Sequence, residues 1–527
     1  MTTNADAIAA TLVESGTEIA FGLPGGEITL LLDACRRAGI RFFLTGHEAS
    51  AAFMADVTGQ ITGRPGVCLA TLGPGAVNLA LGVSNALLDR SPVLAITAQL
   101  STALEPHFPH QRLPLDRFFG SITKWSQTLD GRGTAETVRR AVKVATGEPP
   151  GPVHLALPSN LAGAAAQPGA GAAPGPEPDA PGGGASLDEI RAALNAAVRP
   201  LLVVGLGCRP QDAPALRGFV DATHMPFVVT PKAKGLLPED APGFLGVIGG
   251  MAVDGAAMET VDQADFLLGV GFDPVECDKD WYVGRSLANL SRSSTAEGTY
   301  RPLEVRGEIG GLLAQLRISA HPAAWPEDAV AAGRARVRPA PMSPVEGLSP
   351  LACVRAIRAA APRETILACD VGSHKYYAGQ FWESYEPNTF FMSNGLSGMG
   401  YGLPAAIAAK LQFPDRPTIA LVGDGGLLMM LHNLSFLRQY RIPVVVVCFV
   451  DDSLSLIRVG QQRRKLEPYG VDFPAPEFAT IATGFGVSGT RVRSLSDLSR
   501  AVEDAIRGGQ PAVISVPIDG REYATYC

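Results

Sequence analysis

The feature that most constrains the fold of this chain is a series of short, uninterrupted apolar runs rich in Val, Ile and Leu. Helix-length segments separate these runs, and Gly-rich turns follow several of them. Continuous apolar strands of this kind are typical of parallel sheets that helices cover on both faces. The clearest runs are residues 67–71 and 93–97, then 200–207, 226–230 and 265–271, and finally 365–370, 418–425, 443–450 and 511–518. We therefore expect an α/β protein with three doubly wound parallel-sheet domains, whose ligands bind beyond the carboxyl ends of the strands.

Two stretches with few large apolar residues divide the chain into these domains. A length of 527 residues is too great for a single hydrophobic core. Residues 166–186 consist mostly of Ala, Gly and Pro and predict an exposed linker, and residues 319–348, rich in Ala, Pro and Arg, predict a second one. The expected domains are residues 1–165, 187–318 and 349–527.

The composition argues against several classes of protein. The net charge is −7 and the sequence has no basic cluster, so nucleic acid is not expected as a partner. No apolar run is long enough to span a bilayer, and the first residues lack the basic and apolar regions of a secretory signal. The eight cysteines are scattered without a C-x-x-C pair, which argues against zinc and against a disulfide framework. We expect a cytoplasmic protein with reduced thiols and no membrane partner.

The strongest chemical signal is a pair of acidic residues that follow two consecutive strands of the third domain. The first strand ends in the glycine-rich turn 423–426, where the backbone can approach an anion and Asp424 can offer an oxygen to a divalent cation. Asp451 follows the next strand, so we expect the two carboxylates at neighbouring strand ends. Such a pair is unfavourable unless a cation lies between the carboxylates. An ordinary tight turn and a solvated acidic pair are the alternatives.

This arrangement resembles the metal-binding motif of the thiamine diphosphate-dependent decarboxylases and carboligases, and the resemblance extends over nearly the whole chain. It implies thiamine diphosphate and Mg²⁺ as cofactors, with the metal held by the side chains of Asp424 and Asp451 and by the backbone carbonyl of Ser453. The family usually has Asn at the position of Asp451, so this chain adds a negative charge beside the diphosphate. The resemblance also places further residues around the diphosphate or along the cofactor pocket: Gly372, Ser373, His374, Gly423, Gly425, Gly426, Leu454 and Ile457. A structural role at a helix start is the alternative for His374.

The same resemblance places the aminopyrimidine ring of the cofactor against segments of the first and third domains. Residues 393–406 match the family's pyrimidine loop, in which the backbone of Ser397 and Met399 would bond the ring and the Met399 side chain would keep the cofactor bent. Glu48 follows a predicted strand and opens an Ala-rich helix, where an unpaired carboxylate is costly. It corresponds to the family's catalytic glutamate, which bonds N1′ of the ring, and helix capping is the alternative. The neighbouring motifs F-G-L-P-G-G and T-L-G-P-G-A-V-N contribute Gly25, Pro74 and Asn78.

In this family the catalytic glutamate and the metal-binding turn meet across a subunit interface. The resemblance therefore implies self-association, with a homodimer as the minimum and a tetramer as the alternative.

Residues on the substrate side resemble those of acetolactate synthases. His110 and Gln111 lie where those enzymes have Phe-Gln; Gln111 can bond a substrate carboxylate or carbonyl, and His110 adds a titratable donor. Two loop residues without a function are the alternative. Gly26 and Thr71 occupy the positions at which simple decarboxylases place acid or base residues, which lowers the expectation of aldehyde release. Residues 273–276 read D-P-V-E, a form that resembles FAD-independent acetolactate synthases, so FAD is not expected.

The sequence therefore predicts an enzyme that decarboxylates a pyruvate-like 2-oxo acid and joins the remaining fragment to an acceptor, with both substrates left open. The alternatives are a 2-oxo acid decarboxylase that releases an aldehyde, a lyase of hydroxy ketones or 2-hydroxyacyl thioesters, and a non-catalytic homologue.

Overall fold

A computed structural model describes residues 2–169, 184–249, 251–296, 300–316 and 325–527. Most of the first predicted linker, residues 170–183, lies outside these ranges. The chain forms two compact units. The first comprises Met1–Pro178, Leu396–Pro414 and Met430–Ile442, and the second comprises Asp179–Gly395, Asp415–Met429 and Pro443–Cys527. Two segments of the third predicted domain thus belong to the first unit.

The first sheet lies in the first unit, and its strands are β1 (Ile19–Leu23), β2 (Arg41–Leu44), β3 (Gly66–Ala70), β4 (Val93–Gln99), β5 (Trp125–Thr128) and β6 (Pro152–Pro158). They are parallel in the order β2-β1-β3-β4-β6-β5. β3, β4 and β6 are buried along their whole length, which explains their continuous apolar sequences. The helices of this part are α1 (Asn4–Glu14), α2 (Thr29–Arg37), α3 (Glu48–Thr62), α4 (Pro74–Leu88), α5 (Leu115–Gly120), α6 (Thr134–Thr146) and α7 (Ser159–Ala162).

The second sheet lies in the second unit, and its strands are β7 (Pro200–Val204), β8 (Phe227–Val229), β9 (Phe244–Val247), β10 (Phe266–Val270), β11 (Leu287–Ser291) and β12 (Leu303–Arg306). They are parallel in the order β12-β11-β10-β7-β8-β9. The accompanying helices are α8 (Leu187–Ala196), α9 (Ala213–Thr223), α10 (Gly255–Val261), α11 (Ile309–Leu316) and α12 (Glu327–Arg336).

The third sheet also lies in the second unit, with strands β13 (Ile366–Cys369), β14 (Phe390–Met392), β15 (Thr418–Gly423), β16 (Val444–Val450), β17 (Ser488–Arg491) and β18 (Ala512–Pro517). Their parallel order, β14-β13-β15-β16-β18-β17, repeats that of the first sheet. The helices of this part of the chain are α13 (Pro350–Ala360), α14 (Ser373–Phe381), α15 (Gly402–Gln412), α16 (Asp424–Met429), α17 (Asn433–Tyr440), α18 (Ser455–Arg463), α19 (Phe478–Gly484) and α20 (Leu495–Gly508). The three parallel sheets, with helices on both faces, confirm the predicted fold class.

The strand order determines where each sheet can bind a ligand. In the first sheet the chain moves from β1 outward to β2 and then returns to β3 on the other side of β1. The loops after β1 and β3 therefore diverge and leave a crevice at the carboxyl edge. β13, β14 and β15 have the same relation, which creates a second crevice between the loops after β13 and β15. Most of the predicted site residues lie in or next to these loops.

Helix α3 is buried along most of its length, and its small residues allow close packing. Every residue from Glu48 to Gly59 is buried. α4 crosses α3 so closely that a Cβ at Gly82 would lie 2.5 Å from the Cβ of Ala52. Because the two helices approach this closely, side chains near their amino ends can meet.

The helical segment that begins at Asp424 is interrupted. It ends at Met429 and resumes at Asn433, and the segment from Met430 onward belongs to the first unit. In that unit Ser50 Oγ lies 2.9 Å from His432 Nε2 and accepts a 3.1 Å bond from Asn433 Nδ2. At the interruption, His432 and Asn433 thus make long-range contacts with Ser50 of α3. Helix propensity is a local property, so it does not predict these contacts.

The described part of the second predicted linker, residues 325–348, has secondary structure and buried side chains. It contains α12, and Val337 and Trp325 are buried. Trp325 Nε1 donates a 2.8 Å hydrogen bond to the carbonyl of Pro200 at the start of β7. This segment therefore packs against the second sheet through the apolar side chains of Trp325 and Val337. Its overall Ala, Pro and Arg composition does not predict this packing.

Among the residues that the structure describes, no helix combines the length and the apolar character that crossing a membrane requires. All eight cysteines are free thiols, and all except Cys277 are buried.

Candidate active site

Glu48 is a buried carboxylate at the start of α3 in the first unit. Its side chain is held by Asn78 of α4, whose Nδ2 donates to Glu48 Oε2 over 2.9 Å. Only 5% of Glu48 is exposed. The helix is capped by His47, whose Nδ1 accepts a hydrogen bond from the backbone N–H of Ala49 at 3.1 Å. Capping therefore does not account for Glu48, and one oxygen of a nearly buried carboxylate remains for a ligand.

Glycines next to Glu48 keep this edge of the sheet open. Pro74 begins α4, and a Cβ on the following Gly75 would lie 3.1 Å from Glu48 Oε1 and 2.8 Å from Thr71 Cγ2. Contacts this short would displace the carboxylate, so the absence of a side chain at Gly75 is part of the site.

A second carboxylate lies on the other side of Thr71. Thr71 Oγ1 donates to Glu27 Oε2 over 2.7 Å, joining the loop after β3 to the loop after β1. Gly25 makes this contact possible, because a Cβ there would approach Thr71 Oγ1 to 2.6 Å. Glu27 is half-buried. Two glutamates, Glu27 and Glu48, therefore lie near Thr71 and Gly75 at this edge of the first sheet.

The predicted substrate loop reaches this edge through one of its two proposed residues. Gln111 has a positive φ of 55°, and its Cβ lies 3.1 Å from where a Cβ on Gly73 would be. It is therefore beside the turn that begins α4. His110 is exposed and makes an edge-on contact with Phe108, with ring centroids 6.0 Å apart.

Residues 396–406 of the predicted pyrimidine loop belong to the first unit, and the last of them form the start of α15. Gly398, between Ser397 and Met399, packs beside Leu81 of α4 and Phe53 of α3. Ser397 is exposed with φ 56°, and Met399 is half-buried. The loop therefore contacts the same two helices that carry Glu48 and Asn78.

Asp424 and Asp451 lie at the ends of the adjacent strands β15 and β16, as predicted. Asp424 Oδ2 accepts hydrogen bonds from the backbone N–H groups of Asp451 and Asp452 at 3.1 and 2.9 Å. Burial raises the pKa of Asp424, of which 3% is exposed. Burial also raises the pKa of Asp451 to about 7, and the charges of Asp424 and Asp452 add to the rise, although Ser455 lowers it by donating to Asp451 Oδ2. A buried carboxylate and a half-buried one that repel each other form a site that favours a cation.

The loop after β13 supplies polar atoms that have no partner in the described structure. Ser373 Oγ and His374 Nε2 are both buried without a hydrogen-bond partner among the described residues. Burial lowers the pKa of His374 to about 4. Gly372, just before them, has φ 153°, a conformation that favours glycine. Buried polar atoms of this kind normally have partners, so these two favour a bound polar ligand.

The glycines of the turn 423–426 let the two loops of this crevice approach each other. A Cβ at Gly423 would lie 3.1 Å from His374 Cε1, and one at Gly426 would lie 2.2 Å from Asp370 Oδ2. Gly425, between them, donates its backbone N–H to Asp424 Oδ1 over 2.7 Å.

The segment after Asp451 differs in exposure along its length. Ser453 is buried, and its hydroxyl donates to the carbonyl of Val471 over 3.3 Å. The backbone carbonyl of Ser453, which is the predicted metal ligand, takes no part in that bond. Leu454 is half-buried, whereas 52% of Ile457 is exposed.

The D-P-V-E segment closes the carboxyl edge of the second sheet. Glu276 accepts hydrogen bonds from the backbone N–H groups of Leu206 and Lys232 and from the hydroxyl of Thr230. Burial raises the pKa of Glu276 to about 7. Its own backbone carbonyl accepts from Asn394 at 2.9 Å. Glu276 therefore ties together the loops after β7 and β8 and joins them to the segment after β14.

Comparison with known proteins identifies the family. Residues 2–118 match the N-terminal TPP binding domain of thiamine pyrophosphate enzymes, residues 187–291 match their central domain, and residues 370–516 match their C-terminal TPP binding domain. The acetolactate synthase of Bacillus subtilis (strain 168) is 30% identical over 96% of this chain and 92% of that protein. This chain belongs to the thiamine pyrophosphate enzymes.

Other relatives cover similar shares of the chain. The large subunit of acetolactate synthase isozyme 2 from Escherichia coli (strain K12) is 29% identical over 96% of this chain and 94% of that protein. A probable 2-ketoarginine decarboxylase from Pseudomonas aeruginosa is 31% identical over 94% of this chain and 91% of that protein.

The match to the thiamine pyrophosphate enzymes agrees with the chemistry of the two crevices. Thiamine pyrophosphate, which is the same compound as thiamine diphosphate, has a ring that a carboxylate can bond and a diphosphate that polar groups and a cation can bond. The domain with Glu48 and the domain with Asp424 are both TPP binding domains. Within the described residues, no group of three or more His, Cys, Asp and Glu side chains is arranged to hold a metal.

Glu27, in the crevice of the first sheet, is a candidate residue that was not predicted from the sequence. The family resemblance concerned Gly26 and Thr71 as positions for an acid or base, and Glu27 directly follows Gly26. The available signal was an acidic residue a few positions after the apolar residues 19–21, next to the glycine pair 25–26. Its bond to Thr71 depends on a contact between residues 44 positions apart, which no local pattern predicts.

Proposed function

We propose that this thiamine pyrophosphate enzyme, with Mg²⁺, decarboxylates a 2-oxo acid and joins the remaining acyl fragment to the carbonyl of an acceptor. The observation that carries the proposal is the buried Glu48, held by Asn78 at the open edge of an N-terminal TPP binding domain. Relatives named acetolactate synthases, aligned over nearly the full length, support a carboligation of this type.

Thiamine diphosphate, when bound, supplies the carbanion and the electron acceptor that cleavage next to a carbonyl requires. Glu48 would hold a proton at N1′ of the aminopyrimidine, and Asn78 would keep that carboxylate in position. The backbone of Ser397 and Met399 would bond the ring edge. Gly25 and Pro74 would shape the loops beside it without filling the crevice.

We further propose that the diphosphate and its Mg²⁺ are held in the crevice of the third sheet. Asp424, Asp451 and the backbone carbonyl of Ser453 would bind the metal, since oxygen ligands suit this cation and the two carboxylates repel each other without it. Ser373 Oγ and His374 Nε2 would bond phosphate oxygens. From the family resemblance we also propose that Leu454 and Ile457 line the pocket and that His110 and Gln111 bind the substrate. The position of Gln111 beside Gly73 supports substrate binding by Gln111.

A homodimer with shared active sites is the assembly we propose, and subunit complementation tests it. Glu48→Gln and Asp424→Asn variants should each be inactive alone. When they are mixed, unfolded and refolded together, mixed dimers contain one intact pair of Glu48 and Asp424, so activity should return to at most about a quarter of the wild-type value. Absence of any recovery, with mixed dimers present, would contradict shared sites. We also propose a cytoplasmic location, which the eight free thiols support.

Decarboxylation with release of an aldehyde is the second candidate, and Glu27 is the observation that favours it. The carboxyl group of Glu27, bonded to Thr71 at the same sheet edge, would take up a proton from water, pass it to the reacting fragment and return to the carboxylate form. One relative is named a probable 2-ketoarginine decarboxylase.

Incubation with a panel of 2-oxo acids and acceptors, followed by measurement of CO₂ and mass spectrometry of the products, separates the two functions. A product that joins two fragments supports carboligation, and an aldehyde supports the second candidate. Glu27→Gln should shift the product ratio away from aldehyde if Glu27 delivers the proton. Glu18→Gln is the matched control, because Glu18 precedes the same strand at its opposite end. Failure to release CO₂ from every 2-oxo acid tested would overturn both functions.

A further inference from the structure

A cavity of about 510 Å³ lies in the second unit, and none of its lining residues belongs to the candidate active site. It is bounded by α13, the end of α14, the start of β9 and the residues that follow α12. Three lining side chains are arginines, Arg338, Arg355 and Arg358, whereas Glu383 is the acidic one, so the lining has a formal charge of +2. A cavity of this size accommodates a small molecule, and its charge favours an anionic one.

Arg358 is the most deeply buried of the three, with 8% of the residue exposed. Its Nη2 donates to the carbonyls of Ala361 and Pro362, and its guanidinium lies 4.4 Å from the ring centroid of Trp382. These contacts fix the orientation of the group. Its Nη1 is buried and, among the described residues, has no hydrogen-bond partner. A buried donor without an acceptor is costly, so this nitrogen favours a ligand that supplies one.

Arg355 is a second cation that the described residues leave without an ion pair. Its guanidinium lies 6.0 Å from the ring of Phe381, and Glu383 and Glu522 attract it only at a distance. Burial lowers the pKa of Arg355 and of Arg358, which means that their positive charges are only partly compensated.

The acidic residue of the lining is already engaged. Glu383 forms a 2.5 Å ion pair with Arg338 and also accepts a 3.0 Å bond from the hydroxyl of Tyr385. Glu383 therefore bonds Arg338 and Tyr385. Among the described residues it forms no ion pair with Arg355 or Arg358.

We propose that this cavity binds a small phosphate-bearing anion between the guanidinium groups of Arg355 and Arg358. Guanidinium groups present paired N–H donors that match the oxygens of a phosphate, and they are less strongly hydrated than an ammonium group. A phosphate group with close to two negative charges also balances the charge of the lining. The ligand could be inorganic phosphate or a phosphate ester, and both present the same group to the arginines.

The test is calorimetric titration of the holoenzyme, saturated with thiamine diphosphate and Mg²⁺ so that the cofactor site cannot take up the probe. Inorganic phosphate, glucose 6-phosphate and ADP are titrated separately, with chloride at equal ionic strength as the blank. We expect saturable binding of at least one phosphate probe with a Kd of about 1 mM or lower. Binding of all three probes indicates recognition of the phosphate alone, and binding of one ester only indicates an ester ligand.

Variants assign the binding to the cavity. Arg355→Gln should weaken it by about tenfold or more, because a charge-assisted bond is lost. Arg363→Gln is the matched control: Arg363 stacks on Tyr385 at 3.7 Å but pairs with Asp240 and does not line the cavity. Since Arg355 has no ion pair to lose, its variant should fold, and thermal unfolding checks this. Equal affinity in the two variants, or no saturable binding of any probe to the wild type, would overturn the proposal.

Discussion

Replacement of Asn78 by alanine tests how the buried carboxylate of the active site is positioned. In the folded protein Asn78 Nδ2 donates to Glu48 Oε2 over 2.9 Å, and Glu48 is 5% exposed. Removing the donor leaves the carboxylate without this bond in a site where water cannot readily replace it. The glutamate then has rotational freedom at the point where it must hold a proton on the cofactor ring.

The expected loss follows from the strength of the bond. A hydrogen bond to a charged group contributes about 1.5–3 kcal/mol, and each 1.4 kcal/mol of barrier is about tenfold in rate. We therefore expect kcat/KM for CO₂ release to fall about 10- to 150-fold in Asn78→Ala. Asn78→Asp should be worse, because a second carboxylate would repel Glu48. Steady-state kinetics with saturating cofactor measure both, and Gln315→Ala, which truncates an exposed amide side chain on α11 of the second unit, is the control.

A double-mutant cycle distinguishes positioning of Glu48 from a general structural effect. If Asn78 acts only through Glu48, then adding Asn78→Ala to a Glu48→Gln background should cause no further loss of rate. Two additive losses, or wild-type activity in Asn78→Ala, would refute the reasoning. A cofactor dissociation constant measured for each variant separates weaker binding from slower chemistry.

Three further perturbations have defined outcomes. Asp451→Asn should weaken Mg²⁺ binding by about tenfold. Two unit charges 4 Å apart near a protein surface interact by ~4 kcal/mol, and we expect the variant to lose only part of this energy. Calorimetry with Mg²⁺ measures the affinity, and an unchanged affinity would mean that the extra charge has no role. Gly426→Ala would place its Cβ 2.2 Å from Asp370 Oδ2, so cofactor affinity should fall about tenfold or more, whereas Gly508→Ala, with open space around it, should leave affinity unchanged. Burial lowers the pKa of His154 from 6.5 to about 3, so its contribution to stability is complete above pH 6.5 and is lost as the pH falls; between pH 6.5 and 5 we expect about 2 kcal/mol. Urea unfolding at the two pH values should show a smaller difference in His154→Gln, and an equal difference would assign the effect to other groups.

Much of the fold follows from patterns that are local in sequence. A strand buried on both faces must be apolar at every position, so β4, β6 and β16 are visible as continuous runs. The pairing of β15 with β16 follows from the short crossover between these consecutive strands, and it places Asp424 and Asp451 together. Composition predicted the structure of residues 319–348 less well. A segment rich in Ala and Pro can be an exposed linker, or it can contain a helix such as α12 that packs on a sheet.

The active-site residues differ in how far sequence could identify them. The glycine-rich turn and its two acids indicated a cation site from residue chemistry alone, whereas Glu48, Ser397 and Met399 were identified only through the family resemblance. Glu27 was missed, since its significance depends on Thr71, a residue of another loop. The arginines of the cavity were also inconspicuous in sequence, because they are isolated basic residues that become a cluster only when α12, α13 and α14 pack together.

The sequence by itself determined that the chain forms three parallel sheets and that acidic and glycine-rich turns lie at their carboxyl edges. Periodicity, turn chemistry and chain crossovers act over a few residues or one strand–helix–strand unit, so they can be inferred without coordinates. Only the tertiary structure showed that Asn78 holds Glu48, that Thr71 joins Glu27 to the same crevice, that the helix after Asp424 is broken, and that one nitrogen of Arg358 is buried without a partner. Each of these facts depends on contacts between side chains that are far apart in the sequence. Tertiary packing brings those side chains together, and local sequence patterns do not predict it.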